Sequence, residues 1–367
     1  MTFLIEALLS CLLTAGLIVW LRRPALRFGL VDHTGGRKRH GGAVPRIGGL
    51  SLTLGFSVVL LFSASVLSHY AIALVAVAAL AAVGLLDDMG EVSARTKLAV
   101  QALAALLMTS WANLFLTNLG NLFGHGPVEL RNWGIPLTLF ATMAVINGLN
   151  MLDGLDGLAG GVAFSNLSFF AFLAAFLGDL DAVKLLTVLL GAIAGFLAFN
   201  LPHPWRSAQR RTFLGDTGSL VLGFFVAWFS VALTQQPAAH VPPIVMPWVL
   251  GVILLDTFTV TIRRTLRRRD PTVPDRGHIH HLLLRRGFTE RQTLAILLGG
   301  NALLGLIGIV LWRSGVPDRV SFLLFLGVIA AYVAAFLFPN RLFRRRGRAM
   351  AQPEAPIPGS ARGGGTS

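Results

Sequence analysis

The chain has 367 residues, of which 54% are hydrophobic and 13% charged, with a mean hydropathy of +0.70. A soluble domain carries about 25% charged residues, so this composition excludes an ordinary soluble enzyme and belongs to a membrane protein. The net charge of +14 raises nucleic acid as a partner, which the placement of the charges argues against, and the single Cys11 in an apolar run excludes an intrachain disulfide or a cysteine-rich metal site.

Apolar runs of spanning length recur at 3–21, 47–66, 70–86, 98–116, 134–149, 161–177, 182–199, 219–233, 243–262, 293–312 and 320–338. They predict about eleven transmembrane helices. The run at 134–149 is the shortest candidate. No basic residue precedes the first run, which is therefore read as a transmembrane helix and not a cleaved signal. Backbone polar groups in hydrocarbon must be satisfied within their own segment, so the predicted class is all-α and polytopic.

Of the 31 Lys and Arg residues, 27 fall in connections on the same side as the 22–46 loop, leaving Arg131, Lys184, Arg313 and Arg319 on the other. The positive-inside rule then places the N-terminus outside the cytoplasm and the C-terminus inside it. The charge is thus mostly topology, with anionic lipid and anionic substrates as secondary partners. A transmembrane domain is expected over 1–340. The basic, then Gly- and Pro-rich, stretch 341–367 is expected to be a disordered cytoplasmic tail.

Carboxylates at the edge of apolar segments mark functional sites. Five cytoplasmic segments carry distinctive clusters. The run Asp32–His40 with Pro45-Arg46-Ile47-Gly48-Gly49 reads either as a basic stop-transfer loop or, through its glycines and His40, as a flexible polyphosphate cradle. Asp87-Asp88 follows a helix, where cations are preferred, so the pair points to a divalent cation or phosphate role, with Lys97 ten residues on. The stretch from Asn147 to Gly161 holds two Asn and two Asp in apolar, glycine-rich surroundings. A spacing of three puts Asn147, Asn150 and Asp153 on one helix face, with Asp156 next along it. Asp216, in Gly-Asp-Thr-Gly, reads equally as a helix N-cap or as an oxygen ligand for Mg²⁺. Finally, Arg276, His278, His280 and His281 share an arginine-rich loop. The surrounding cations disfavour zinc, so the cluster reads better as hydrogen-bond donors to a diphosphate than as a metal site or a structural cluster.

Together the five segments resemble the polyprenyl-phosphate N-acetylhexosamine-1-phosphate transferases over nearly the whole chain. The run from Asp275 to Leu282, with Arg286-Gly287-Phe288-Thr289 and Arg37-Lys38-Arg39-His40, is similar to the WecA-type branch. That branch transfers GlcNAc-1-phosphate from UDP-GlcNAc to undecaprenyl phosphate and starts O-antigen or related cell-surface glycan synthesis. Another UDP-N-acetylhexosamine donor and the MraY-type peptidoglycan precursor reaction are the alternatives. The resemblance implies Mg²⁺, replaceable by Mn²⁺, held by Asp216 and Asn150. It implies Asp87 and Asp88 as catalytic residues and His40, Lys97, Asp153, Asp156, Arg276, His278, His280 and His281 as substrate-binding residues. It further implies a multi-pass protein of the bacterial inner membrane, surrounded by membrane lipid, without a nucleic-acid partner and with a homodimer left open. A transporter would also use polar residues in broken helices, but it would place them near the bilayer midplane and show internal repeats. Here the acids cluster at one face and no repeat is found.

Overall fold

The computed structural model of the chain describes residues 2–32, 43–202, 211–235, 241–266 and 278–337. The helices are α1 (Thr2–Arg27), α2 (Gly48–Leu60), α3 (Ala64–His69), α4 (Ala71–Met89), α5 (Ala94–Leu106), α6 (Gly134–Leu152) and α7 (Leu158–Leu177). They continue with α8 (Leu180–Asn200), α9 (Gly215–Gln235), α10 (Val245–Val249), α11 (Gly251–Leu266), α12 (Ile279–Arg285), α13 (Glu290–Arg313) and α14 (Asp318–Leu337). Two two-residue strands, β1 (Val31–Asp32) and β2 (Val44–Pro45), pair antiparallel at one end of the bundle.

Among the described residues, eight helices are long and apolar enough to cross a membrane, so the chain is a multi-pass all-α membrane protein. By length and composition alone the expected count of eleven is not confirmed, although a helix begins within each apolar run or continues through it. Three runs are shorter or broken. The run at 47–66 ends as α2 at Leu60 and restarts as the short α3. The run at 98–116 is α5 followed by a π-helical turn, Leu107–Trp111, beyond which the chain leaves the helix. The run at 243–262 splits into α10 and α11 at Leu250. Conversely, 134–149 grows into the full-length α6.

The split at Leu250 is held by a neighbour. Asn301 of α13 is fully buried, and its Oδ1 accepts from the freed Val252 amide at 3.2 Å. Its Nδ2 donates to Ser165 Oγ at 3.2 Å and Asn166 Oδ1 at 2.7 Å. A break in a buried helix is tolerated where another side chain satisfies the exposed backbone group.

At the centre stands α9. Every residue from Thr217 to Thr234 is buried, polar and apolar alike. A helix apolar on all sides belongs inside a bundle, and α2, α4, α6 and α7 pack around this one. Glycine lets them approach: a Cβ on Gly84 of α4 would lie 2.5 Å from Thr217 Cα, and one on Gly223 would lie 2.7 Å from Ile146 Cα. The outer helices α1 and α14 turn large side chains outward, among them Leu4, Leu8, Leu12, Trp20 and Leu323, as a lipid-facing surface requires.

Close packing also joins α1 to α8. A Cβ on Gly191 or Gly195 would run into the backbone oxygen of Ala7 or Cys11, the small-xxx-small arrangement that lets two membrane helices touch. Glu6 and Lys184 pair at 2.9 Å at the end of the same seam. Replacing Gly195→Leu should therefore force α1 off α8 and destabilise the protein by about 1–3 kcal/mol or more. Gly16→Leu, at a position where an added Cβ meets nothing within 4 Å, should leave stability nearly unchanged. Thermal unfolding in detergent, followed by tryptophan fluorescence, distinguishes the two; equal transitions would show that the seam is not formed.

Candidate active site

The site grows from an unusual pairing of two helix ends. The structure carries α4 through to Met89, so Asp87 and Asp88 lie in its last turn and not beyond it. Carboxylates there oppose the helix dipole. For Asp88 the compensation is the positive end of α9, which points at it. Asp88 is buried, and its Oδ1 accepts from the Asp216 amide at 2.9 Å. Its Oδ2 accepts from the Thr217 amide at 3.1 Å and from Thr217 Oγ1 at 2.7 Å. Asp88 thus caps α9 from another helix. Gly215 is required at this contact: its φ is +70°, and a Cβ there would lie 2.5 Å from Asp88 Oδ1.

Asp87 points elsewhere. Its Oδ1 accepts from the Val92 amide at 2.9 Å, which fixes the α4–α5 connection. Its Oδ2 accepts from Lys97 Nζ at 3.1 Å, and the same ammonium donates to Asp216 Oδ2 at 2.9 Å. Lys97 therefore links α4 and α9 from α5, and one cation is shared by two carboxylates.

The Asn–Asp stretch closes the other wall. Asn150 lies in the last turns of α6, and Asp153 is its C-cap residue. The following turn, through Gly157 at φ +81°, starts α7. It is tied to α8 by Asn200, whose Oδ1 accepts from the Gly157 amide at 2.7 Å and whose Nδ2 donates to Thr212 O at 2.9 Å. The Phe213 amide in turn bonds Pro45 O of β2 at 3.0 Å. The result is a cavity of about 400 Å³ lined by Asp88, Asn150, Asp153, Asp156 and Asp216, with Arg46 at its edge.

The negative charge in this cavity is in excess. Burial first, and then Asp216, Asp88 and Asp156, push the Asp153 carboxyl well above the usual carboxylate range. Burial also raises Asp156, against the opposing pull of Arg211 at 3.4 Å. Among the described residues no three His, Cys, Asp or Glu side chains converge as a ready-made metal cage. Mg²⁺ does not require one, because it keeps several waters and takes one or two carboxylates together with substrate oxygens. Oxygen donors crowded by like charge fit such a hard cation.

The histidine segment docks on this cavity. His278 precedes α12, and His280 and His281 lie in its first turn. His278 Nδ1 is 2.9 Å from Asp256 Oδ2, and the Ile279 amide donates to Asp256 Oδ1 at 2.9 Å. The His278 and His280 rings stack at 6.1 Å, and His281 lies 4.2 Å from His280. His280 is 1% exposed, and both of its ring nitrogens are without a hydrogen-bond partner. A Cβ on Gly154, which lines the cavity, would lie 2.5 Å from its Nε2.

Of the residues singled out in the sequence, Asp88, Asn150, Asp153, Asp156 and Asp216 share the cavity, Asp87 and Lys97 join it through Asp216, and His280 borders it at Gly154. Asn147 is not among the cavity's lining residues: it pairs with Gln101 of α5. His40, Arg276 and the 341–367 tail lie outside the described residues. Three partners escaped the sequence reading: Asn200, Arg211 and Asp256. For Asp256 a signal existed, a lone carboxylate inside an apolar run.

A bundle of bilayer-length helices holding a carboxylate-rich cavity at one end, with a lysine and a histidine cluster against it, is that of a multi-pass membrane enzyme. The family model for glycosyl transferase family 4 matches residues 70–234. The undecaprenyl-phosphate alpha-N-acetylglucosaminyl 1-phosphate transferase of Salmonella typhi is 34% identical, over 89% of this chain and 89% of its own. The proteins of the same name from Yersinia pestis and Escherichia coli (strain K12) are 32% and 33% identical. The first alignment covers 89% of this chain and 87% of the relative, the second 92% and 94%. The chain belongs to glycosyl transferase family 4 and is a transferase.

The buried His280 gives the site a pH signature. Burial first, then His281, lowers its pKa to about 4, below the ordinary ~6.5 of the unfolded chain. The unfolded state therefore binds the proton first on acidification. The stability held above pH ~6.5 is lost as pH falls through about 4, by at most roughly 3 kcal/mol. A His280→Leu variant should show a flatter fall in melting temperature between pH ~6.5 and ~4 than the parent; parallel curves would refute the assignment.

Proposed function

We propose that the protein transfers GlcNAc-1-phosphate from UDP-GlcNAc to undecaprenyl phosphate, giving undecaprenyl-diphosphate-GlcNAc and UMP. The reaction takes place at the cytoplasmic face of the bacterial inner membrane, with the N-terminus periplasmic and the C-terminus cytoplasmic, and initiates O-antigen or a related surface glycan. The names of the relatives support the substrates. The observation that carries the reading is one cavity at one end of the bundle where Asp216, Asp153 and Asn150 meet, with Asp87 and Lys97 joined to it through Asp216.

In this reaction an oxygen of the lipid phosphate forms a bond to the β-phosphorus of the donor. The bridging bond to the α-phosphate breaks, and its electron pair leaves with UMP. Phosphoryl transfer of this kind rests on positioning and charge neutralisation. Asp216 and Asn150 would hold Mg²⁺, or Mn²⁺ in its place, which when bound supplies positive charge to the diphosphate oxygens. Lys97, already bridging Asp87 and Asp216, faces the acceptor phosphate. The histidine segment supplies donors to the diphosphate. Asp88 keeps Asp216 in place through the first turn of α9.

The purified protein given undecaprenyl phosphate and a panel of UDP-sugars should release UMP with UDP-GlcNAc and form the matching lipid product by mass. Excess EDTA or Asp216→Asn should abolish the reaction. Product from a different donor alone would replace the sugar, and full activity in EDTA would sink the metal assignment.

The acceptor phosphate has a second pKa near ~6 and is mostly dianionic at neutral pH, so it needs little activation by Asp87. An Asp87→Asn enzyme should keep measurable activity, slower by no more than about 10²–10⁴-fold, partly rescued between roughly pH 7 and 9 because the acidic neighbours raise the acceptor's second pKa, with no covalent intermediate. A labelled sugar-phosphate on Asp87 that chases into product would establish double displacement instead.

A further inference from the structure

Asp256 lies in α11, the helix that begins at the break held by Asn301, and is 4% exposed. A buried carboxylate needs compensation. Both of its oxygens are used, and both by the histidine segment: Oδ1 accepts from the Ile279 amide and Oδ2 faces His278 Nδ1, each at 2.9 Å. An ionised carboxylate can only accept, so the hydrogen in the second contact belongs to Nδ1. That leaves His278 Nε2 as the nitrogen without a hydrogen. The His278 ring stacks on His280, and His280 rests on Gly154 at the cavity wall. A continuous column thus runs from α11, through two imidazoles, to the turn that carries Asp153 and Asp156.

We propose that Asp256 is the positioning residue of the histidine segment: it seats the start of α12, fixes His278 with its proton on Nδ1, and supports the imidazolium that forms when an anionic phosphate group reaches Nε2. The proton taken up at Nε2 comes from solvent and is donated in a hydrogen bond to a phosphate oxygen, while the positive charge lies between that oxygen and Asp256. This rests on the reading of the site as one for a nucleoside-diphosphate donor. It assigns a function to a residue outside the five clusters, acting through His278 without touching substrate. Its alternative is a purely mechanical role, in which Asp256 does no more than cap α12.

Asp256→Asn separates the two. The amide oxygen still accepts from the Ile279 N–H, so the cap survives. The amide nitrogen now donates toward Nδ1, which moves the histidine proton to Nε2 and removes the negative charge. With ¹⁵N-histidine labelling and His278→Gln to assign the signal, the parent protein in detergent at neutral pH should show His278 protonated at Nδ1, and Asp256→Asn should show it at Nε2. For UDP-GlcNAc, kcat/KM should fall about 10- to 100-fold, the equivalent of losing one charge-assisted hydrogen bond. The KM for undecaprenyl phosphate should stay unchanged, and Asp256→Glu should recover the Nδ1 tautomer and part of the rate. An Asp256→Asn enzyme with parental kcat/KM would overturn the proposal, as would a parent protein protonated at Nε2 alone. Should the parent fail to use UDP-GlcNAc, the donor assignment falls, and the nitrogen spectra then decide alone: Nδ1–H supports the pairing and Nε2–H refutes it.

Discussion

The first turn of α9 presents free amides inside a bundle that offers little water, and Asp88 is what they find. Three hydrogen bonds from one carboxylate join the end of α4 to the start of α9 and set where Asp216 stands. The arrangement satisfies two costly features together. The carboxylate at the wrong end of its own helix meets the right end of another, and the helix amides at the core of the protein are not left bare. Lys97 then closes the triangle from α5 by joining Asp87 to Asp216. The two adjacent aspartates are thereby divided in their contacts: Asp88 holds the start of α9, and Asp87 holds Lys97 and the Val92 amide of the α4–α5 connection.

The opposite wall is built on a different principle. The chain from Asn150 to Gly157 leaves one helix and enters the next, so its polar groups are held by neighbours instead of by a ladder. Asn200 holds the backbone, Arg211 holds Asp156, and Arg22 of α1 holds the Arg211 carbonyl at 3.0 Å. Helices far apart in sequence converge on one turn, and that convergence keeps irregular chain stable at the membrane boundary.

Much of this could be read before the fold was known, and the exceptions have physical causes. Hydropathy locates apolar runs, so each one was found, but it is blind to a break that another helix repairs. The α10–α11 discontinuity depends on Asn301, some fifty residues away, and nothing within 243–262 announces that partner. The acidic clusters were legible because carboxylates are rare in such a chain. Their division of labour was not, since Asp87 and Asp88 differ only in which neighbour each side chain meets. Helical spacing put Asn147 with Asn150 and Asp153, and α6 keeps that spacing; what it does not show is that Gln101, on another helix, takes up the Asn147 amide. Asp256 was overlooked because it stands alone in its run, while the histidines it holds drew attention as a cluster.

The burial of α9 from Thr217 to Thr234 separates the helix that carries Asp216 from the mechanical state of the bilayer. A change in membrane thickness is taken up by tilt and by adjustment of lipid around exposed helices, and here those are peripheral ones such as α1 and α14. From Thr217 to Thr234 α9 is buried within the protein. Its buried stretch is therefore held by helix–helix packing, and the wall of the cavity that α9 provides is shielded from changes in the surrounding lipid.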